Sequence, residues 1–152
     1  MRNPALRAGN MKTREILLKP EDIKTVLIIG SGTMGQQIGF QCAAHGYDVI
    51  LHDISQEMMN TAMDRMGKLA RIFVKTQRLR QDEADAALGR GRPEPDAEKA
   101  GQNADLISES VPEDPELKAK VFARFNEICP EQTIFTTNTS SLLPSMFAEA
   151  TG

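Results

Sequence analysis

The stretch TVLIIGSGTMGQQIG, residues 25–39, joins an apolar β-branched run to three glycines in the order Gly-x-Gly-x-x-Gly. Val26, Leu27, Ile28 and Ile29 form the run; Gly30, Gly32 and Gly35 form the pattern. Glycine-rich turns are common, so the pattern alone is a weak signal. Its meaning depends on what precedes and follows it.

Along the chain, β-branched apolar runs alternate with segments of helical period, as in successive βαβ units. Residues 25–29 read as the first strand. A helix is expected from Thr33 to His45, with Gly46 in the left-handed position that commonly ends a helix. Residues 49–52, VILH, read as a second strand, continuously apolar as a strand covered on both faces must be. Ser55 is placed to cap the next helix, where Met59, Ala62, Met63, Met66, Leu69, Ala70 and Phe73 recur at three- and four-residue steps. Core packing is the expected role of that stripe. With Met58 it also has the composition of an adaptable binding surface.

RQDEADAAL, residues 80–88, reads as a short helix with its charges to solvent. Residues 89–105 hold three glycines and two prolines, so any strand there is expected to be short and marginal. Residues 104–111, ADLISESV, resume a strand. The helix over 113–128 is strongly signalled: Asp114 caps it, Pro115 takes its first position and Glu116 suits its positive end. Its buried stripe is expected to be Leu117, Val121, Phe122, Phe125 and Ile128. Pro130 ends it, TIFTTN at 133–138 forms another strand, and a short helix is expected near 144–150.

The chain has 152 residues, 40% of them hydrophobic and 26% charged, enough for one domain with a buried core. A net charge of −3 gives no basic footprint for nucleic acid. The longest apolar run, residues 26–29, is far too short to span a bilayer. Cys42 and Cys129 stand far apart without a CxxC pattern or a histidine cluster. They suggest neither a disulfide framework nor a metal site, and suit a reducing cytoplasm. Residues 1–22 are polar and basic, with Arg2, Arg7, Lys12, Arg14 and Lys19. They read as a loosely ordered lead-in to a domain over 23–152. A transit peptide would need an amphipathic face and serine enrichment, which this stretch lacks.

With a buried strand before the glycines, a helix after and a second strand beyond, each glycine acquires a purpose. Gly30 permits the tight turn, Gly32 leaves room for a pyrophosphate, and Gly35 lets the helix pack close to the sheet. The helix N-terminus, from Thr33 and Met34 onward, then faces the phosphates. Asp53, at the end of the second strand, is the expected companion acid about 20 residues on. Its carboxylate suits the two adenosine ribose hydroxyls and would repel a 2′-phosphate, and residues 54–57 contain no basic side chain. The expected cofactor is NAD rather than NADP.

From Ile23 to Gly152 the chain resembles the NAD-binding domain of the 3-hydroxyacyl-CoA dehydrogenase family. The resemblance rests on GSGTMG, on ADLISESVPEDPELKAKVF and most of all on TTNTSSL. It implies an α/β fold of Rossmann type: a doubly wound, mostly parallel sheet with helices on both faces. It implies hydride transfer from a 3-hydroxyacyl-CoA to NAD, giving the 3-oxoacyl-CoA. On the same ground Val111, Glu113, Lys118 and Asn138 join the cofactor site, and Ser140 bonds the substrate oxygen. Read without the family, Glu113 is a turn acid, Lys118 an exposed helix lysine, and Ser140 and Ser141 turn residues.

The family's catalytic histidine lies in the segment following AEATG, so it is expected beyond Gly152, in the approach to a helical domain that completes the site and forms a homodimer. His45 reads as a helix cap and His52 as a strand residue, so neither is given the role of base. Two alternatives stay open: a dehydrogenase of another 3-hydroxy acid, and a non-catalytic NAD-binding module.

Overall fold

A computed structural model describes residues 19–146 of the chain. Its elements in order are β1 (Thr25–Ile29), α1 (Thr33–Ala44), β2 (Asp48–His52), α2 (Gln56–Lys75), α3 (Gln81–Arg90), β3 (Gly91–Pro93), α4 (Ala97–Gly101), β4 (Leu106–Glu109), α5 (Pro115–Ile128) and β5 (Ile134–Thr137). The strands form one sheet in the order β3-β2-β1-β4-β5. Every pairing is parallel, where the sequence suggested a mostly parallel sheet.

The central strand explains the continuous apolar run. Side chains alternate across a strand, so Val26 and Ile28 enter one core and Leu27 and Ile29 the other. The first core joins Phe40, Ala43, Met66, Ala70, Ala84 and Ala87, from α1, α2 and α3. The second joins Ala97, Ala100, Ile107 and Phe125, from α4, β4 and α5. Helices therefore cover both faces, as a parallel sheet requires.

α2 buries Met59, Ala62, Met66 and Ala70, with Met63, Leu69 and Phe73 partly buried against the core. Its methionine stripe is packing. Ser55 caps it, accepting from Met58 N at 3.2 Å. α1 ends at Ala44, with His45 as its cap and Gly46 at a φ of 96°.

The glycine- and proline-rich stretch is more ordered than its composition suggests. Gly91–Pro93 makes a short parallel edge strand against β2, where a proline is tolerated because its missing N–H faces no partner. α4 follows and had no forecast from sequence. Asp96 caps it, accepting from Glu98 N at 2.9 Å and Lys99 N at 3.3 Å, and Ala97 and Ala100 bury its inner side.

α5 begins as expected, with Asp114 Oδ1 accepting from Glu116 N and Leu117 N. Its inner face differs from the expected stripe. Lys118, Phe122 and Phe125 are buried, whereas Leu117 is exposed. Val121 and Ile128 are partly buried against the core as expected, so only Leu117 leaves the face, where Lys118 points inward to a buried carboxylate on β4. A long-range tie missing from the sequence reading is Asp105, whose Oδ2 accepts from both Lys24 N and Thr25 N at 2.8 Å and fixes the start of β1.

Near the chain ends, Pro20–Asp22 makes one helical turn inside the stretch read as a lead-in, and Pro144–Met146 makes another where a longer helix was expected. The rest of those two expectations lies outside the described residues.

Candidate functional site

The carboxyl ends of β1, β2, β4 and β5 meet at one edge of the sheet, where open α/β folds bind ligands. The strand order reverses beside β1, so the glycine loop sits at the switch point. Gly30 has a φ of 93°, in the left-handed region, and a Cβ there would lie 2.7 Å from Ser110 O. Gly35 is tighter: a Cβ would lie 1.9 Å from Gly30 O. Gly32 is the opposite case. A Cβ there meets nothing within 4 Å, so its lack of a side chain answers no need of the protein's own packing.

Gly32 is also the N-cap of α1, and it supplies no side chain to satisfy the first-turn N–H groups. These donors and the positive helix end face the space that Gly32 leaves open. Thr33 and Met34 begin the helix and are both exposed. A pyrophosphate fits this arrangement.

Asp53 follows β2 beside the loop. Its Oδ2 accepts from Ser31 N at 2.8 Å and Ser31 Oγ at 2.9 Å, and its Oδ1 from Ser55 N at 3.1 Å. Burial pushes this carboxyl upward, but the bonds from Ser31 and Ser55 prevail and hold it below the ordinary carboxylate value. It is therefore ionised at neutral pH. A carboxylate has about four lone-pair sites and three are taken, so capacity remains for one ribose hydroxyl. Asp53 also helps to order the start of α2 through Ser55 N, a role the sequence reading assigned to Ser55 alone.

The other half of the edge is built around β4 and β5. Val111 abuts the loop: its N would lie 3.0 Å from a Cβ on Gly30. Asn138 Nδ2 donates to Ser110 Oγ at 2.6 Å, Glu109 O at 3.0 Å and Ser108 Oγ at 3.2 Å. These bonds pin the amide to β4 and leave its carbonyl oxygen for a ligand. Ser140 is exposed in the turn that follows.

Glu113 is more than a turn acid. Its Oε1 accepts from the hydroxyls of Thr139 and Ser141, on either side of Ser140, and its Oε2 lies 3.3 Å from Lys118 Nζ. The Thr139 and Ser141 hydroxyls, with Lys118, hold its carboxyl down at about 2. Lys118 is not an exposed lysine either. It is 1% exposed and bonds both oxygens of Glu109, at 2.9 and 2.8 Å.

Sequence reasoning missed Ser31, Glu109, Thr139 and the structural use of Ser141. Glu109 left one trace: an acid inside an apolar strand must have a partner if it is buried.

The histidines stand apart from this chemistry. His45 Nδ1 bonds Gln41 O at 2.8 Å, and His52 Nδ1 bonds Glu94 O at 2.9 Å with its ring edge-on to Phe125. Among the described residues no cluster of His, Cys, Asp or Glu is arranged to hold a metal. Burial pushes the Cys129 thiol up to about 11 and raises Cys42, so neither is a poised nucleophile.

A glycine loop at the switch point, an open helix N-terminus and an acid ending the second strand define a Rossmann-type dinucleotide-binding domain. Comparison with known proteins makes it particular. Residues 25–152 match the family described as 3-hydroxyacyl-CoA dehydrogenase, NAD binding domain. The chain belongs to that family, and its cofactor is NAD.

It is 39% identical over 121 residues to 3-hydroxyadipyl-CoA dehydrogenase of Escherichia coli K12, covering 80% of this chain and 25% of the relative. It is 33% identical to the human lambda-crystallin homolog over 123 residues, covering 79% of this chain and 38% of that protein. Among solved structures, 3-hydroxybutyryl-CoA dehydrogenase of E. coli K12 matches with a TM-score of 0.79 and 38% identity, over 83% of this chain and 26% of that one. A diketoreductase described for dual catalysis of dicarbonyl compounds matches at 0.80 and 38%, over 86% and 46%. The chain thus spans less than half the length of these relatives.

Asp53→Ala is expected to weaken NAD binding by about 1.5–3 kcal/mol, the usual worth of hydrogen bonds to a charged group. It should also narrow the gap between NAD and NADP. Titration of both cofactors against both proteins measures this; equal wild-type affinity for the two would refute the assignment to Asp53.

Proposed function

We propose that this chain is the cofactor-binding part of an enzyme that oxidises a 3-hydroxyacyl-CoA to the 3-oxoacyl-CoA. The observation that carries the reading is the turn after β5. Asn138 is pinned to β4, and Ser140 stands exposed beside it, at the same sheet edge as the glycine loop. When bound, NAD accepts the hydride from C3 of the substrate. Gly30, Gly32, Thr33, Met34, Gly35 and Asp53 would hold its adenosine and pyrophosphate; Val111, Glu113 and Asn138 would surround its nicotinamide end, with buried Lys118 fixing Glu113 from behind. Ser140 donates its hydroxyl to the substrate oxygen and orients it. Serine does not take the hydroxyl proton unaided; that requires a base poised near working pH. We assign this base to a histidine beyond Gly152, and homodimerisation to the helical domain there, as the family resemblance implies. Residues 1–22 form the lead-in and 23–152 the NAD-binding domain in this reading, and the two free thiols, Cys42 and Cys129, support a cytoplasmic setting. A second reading, action on a 3-hydroxy acid or dicarbonyl without CoA, draws support from the likeness to diketoreductase.

The test joins this chain to the part of E. coli 3-hydroxybutyryl-CoA dehydrogenase that follows the matched segment. The chimera is expected to reduce NAD with 3-hydroxybutyryl-CoA, and Ser140→Ala to slow it by roughly 10²-fold. The 152-residue polypeptide alone is expected to show no turnover. Enzyme-like rates from that polypeptide would mean that the base lies within it, and would return His52 to consideration. A chimera active only on CoA-free acids would favour the second reading, and a folded but silent chimera a non-catalytic module.

A further inference from the structure

Glu109 is fully buried at the end of β4, and its carboxylate is the meeting point of three segments. Val111 N donates to it at 2.6 Å from the loop after β4. Lys118 Nζ donates at 2.9 and 2.8 Å from α5, and Thr137 Oγ1 at 2.6 Å from the end of β5. A buried ion pair is weak evidence for stability, because apolar residues of similar volume often do as well or better. Geometry explains what stability does not. We propose that Glu109 is a positioning residue that sets the nicotinamide half of the cofactor site.

The contacts continue outward from this carboxylate. Lys118 reaches Glu113 at 3.3 Å, and Glu113 holds Thr139 and Ser141, which flank Ser140. Asn138 N and Nδ2 both donate to the backbone oxygen of Glu109 itself, at 3.0 Å each. Every group assigned to the nicotinamide end therefore hangs on one of the three segments that Glu109 ties. Among the described residues, no side-chain bond of Glu109 goes to the glycine loop or to β2, which hold the adenosine end. Glutamine is close in size but presents an amide where only donors converge. Glu109→Gln thus loosens the three segments relative to one another while leaving the glycine loop and Asp53 as they are.

The inference rests on the cofactor site described above, and its test separates the two. ADP reports the adenosine and pyrophosphate end alone, and NADH, followed by nicotinamide fluorescence, reports both ends. In Glu109→Gln, ADP affinity is expected to stay within about twofold of wild type and NADH affinity to fall about tenfold, a loss near 1.4 kcal/mol. Thr137→Val removes a single donor to Glu109 and serves if Glu109→Gln fails to fold, with a smaller shift of the same sign. Equal losses for the two ligands, or no loss of either, would make Glu109 merely structural and overturn the proposal. Wild-type protein that binds neither ligand would overturn the cofactor site itself.

Discussion

Gly35→Val is expected to destabilise the domain by about 3 kcal/mol or more, beyond the usual cost of overpacking. A Cβ at this position lies 1.9 Å from Gly30 O and 3.0 Å from Ile28 Cγ2. The nearer obstacle is backbone, and it belongs to a residue held at a φ of 93°, itself so close to Ser110 O that a Cβ there would lie 2.7 Å away. Relief requires α1 to lift from the sheet, opening the core around Phe40 and Ala43. For a domain of this size the midpoint of thermal unfolding should fall by roughly 10 °C. Gly35→Ala carries the same first carbon and should share most of the loss. Thermal unfolding followed by circular dichroism measures it; a midpoint within a degree or two of wild type would show that α1 is not packed as described.

Gly32→Val separates binding from folding. The added side chain enters open space, so stability should change little. The same space would admit a pyrophosphate to the first N–H groups of α1, and a branched side chain would exclude it. NAD affinity is expected to fall by roughly 100-fold or more, about 2.7 kcal/mol. Calorimetric titration checks this beside a thermal scan. Normal NAD binding by a stable Gly32→Val protein would reduce the glycine pattern to a turn. The two glycines thus predict opposite profiles, one losing stability and the other losing ligand.

The parts of this molecule that were legible in sequence are those encoded over short spans. β1 and β2 announce themselves by unbroken apolar runs because both faces are covered. α2 and α5 announce themselves by stripes and caps such as Ser55 and Asp114. The glycine loop and Asp53 belong to the same category, since a strand, a turn, a helix and a second strand fix their relation locally. α4 was not legible, because five residues give no readable period and its stability comes from Asp96 and from alanines buried by tertiary packing. Leu117 was turned to the wrong side for a related reason. A stripe of apolar residues ignores a lysine, yet Lys118 is drawn inward by Glu109, nine positions earlier in sequence and on another element. The network beyond it spans wider gaps still: Thr137 to Glu109, and Thr139 and Ser141 to Glu113. Periodicity and motif spacing carry no information about such contacts, and only the assembled sheet edge brings them together.

We propose that one edge of the sheet holds NAD from the glycine loop across to the turn after β5. Backbone amide shifts of the isotopically labelled chain, recorded by nuclear magnetic resonance as NAD is added, test it most directly. Saturable changes are expected at residues 30–35, 53–55, 111–113 and 138–140, while the shallow cleft between α1 and α2, lined by Gln36, Gln37, Arg65 and Lys68, stays unaffected. Changes centred on that cleft, or no saturable change at residues 30–35, would contradict it.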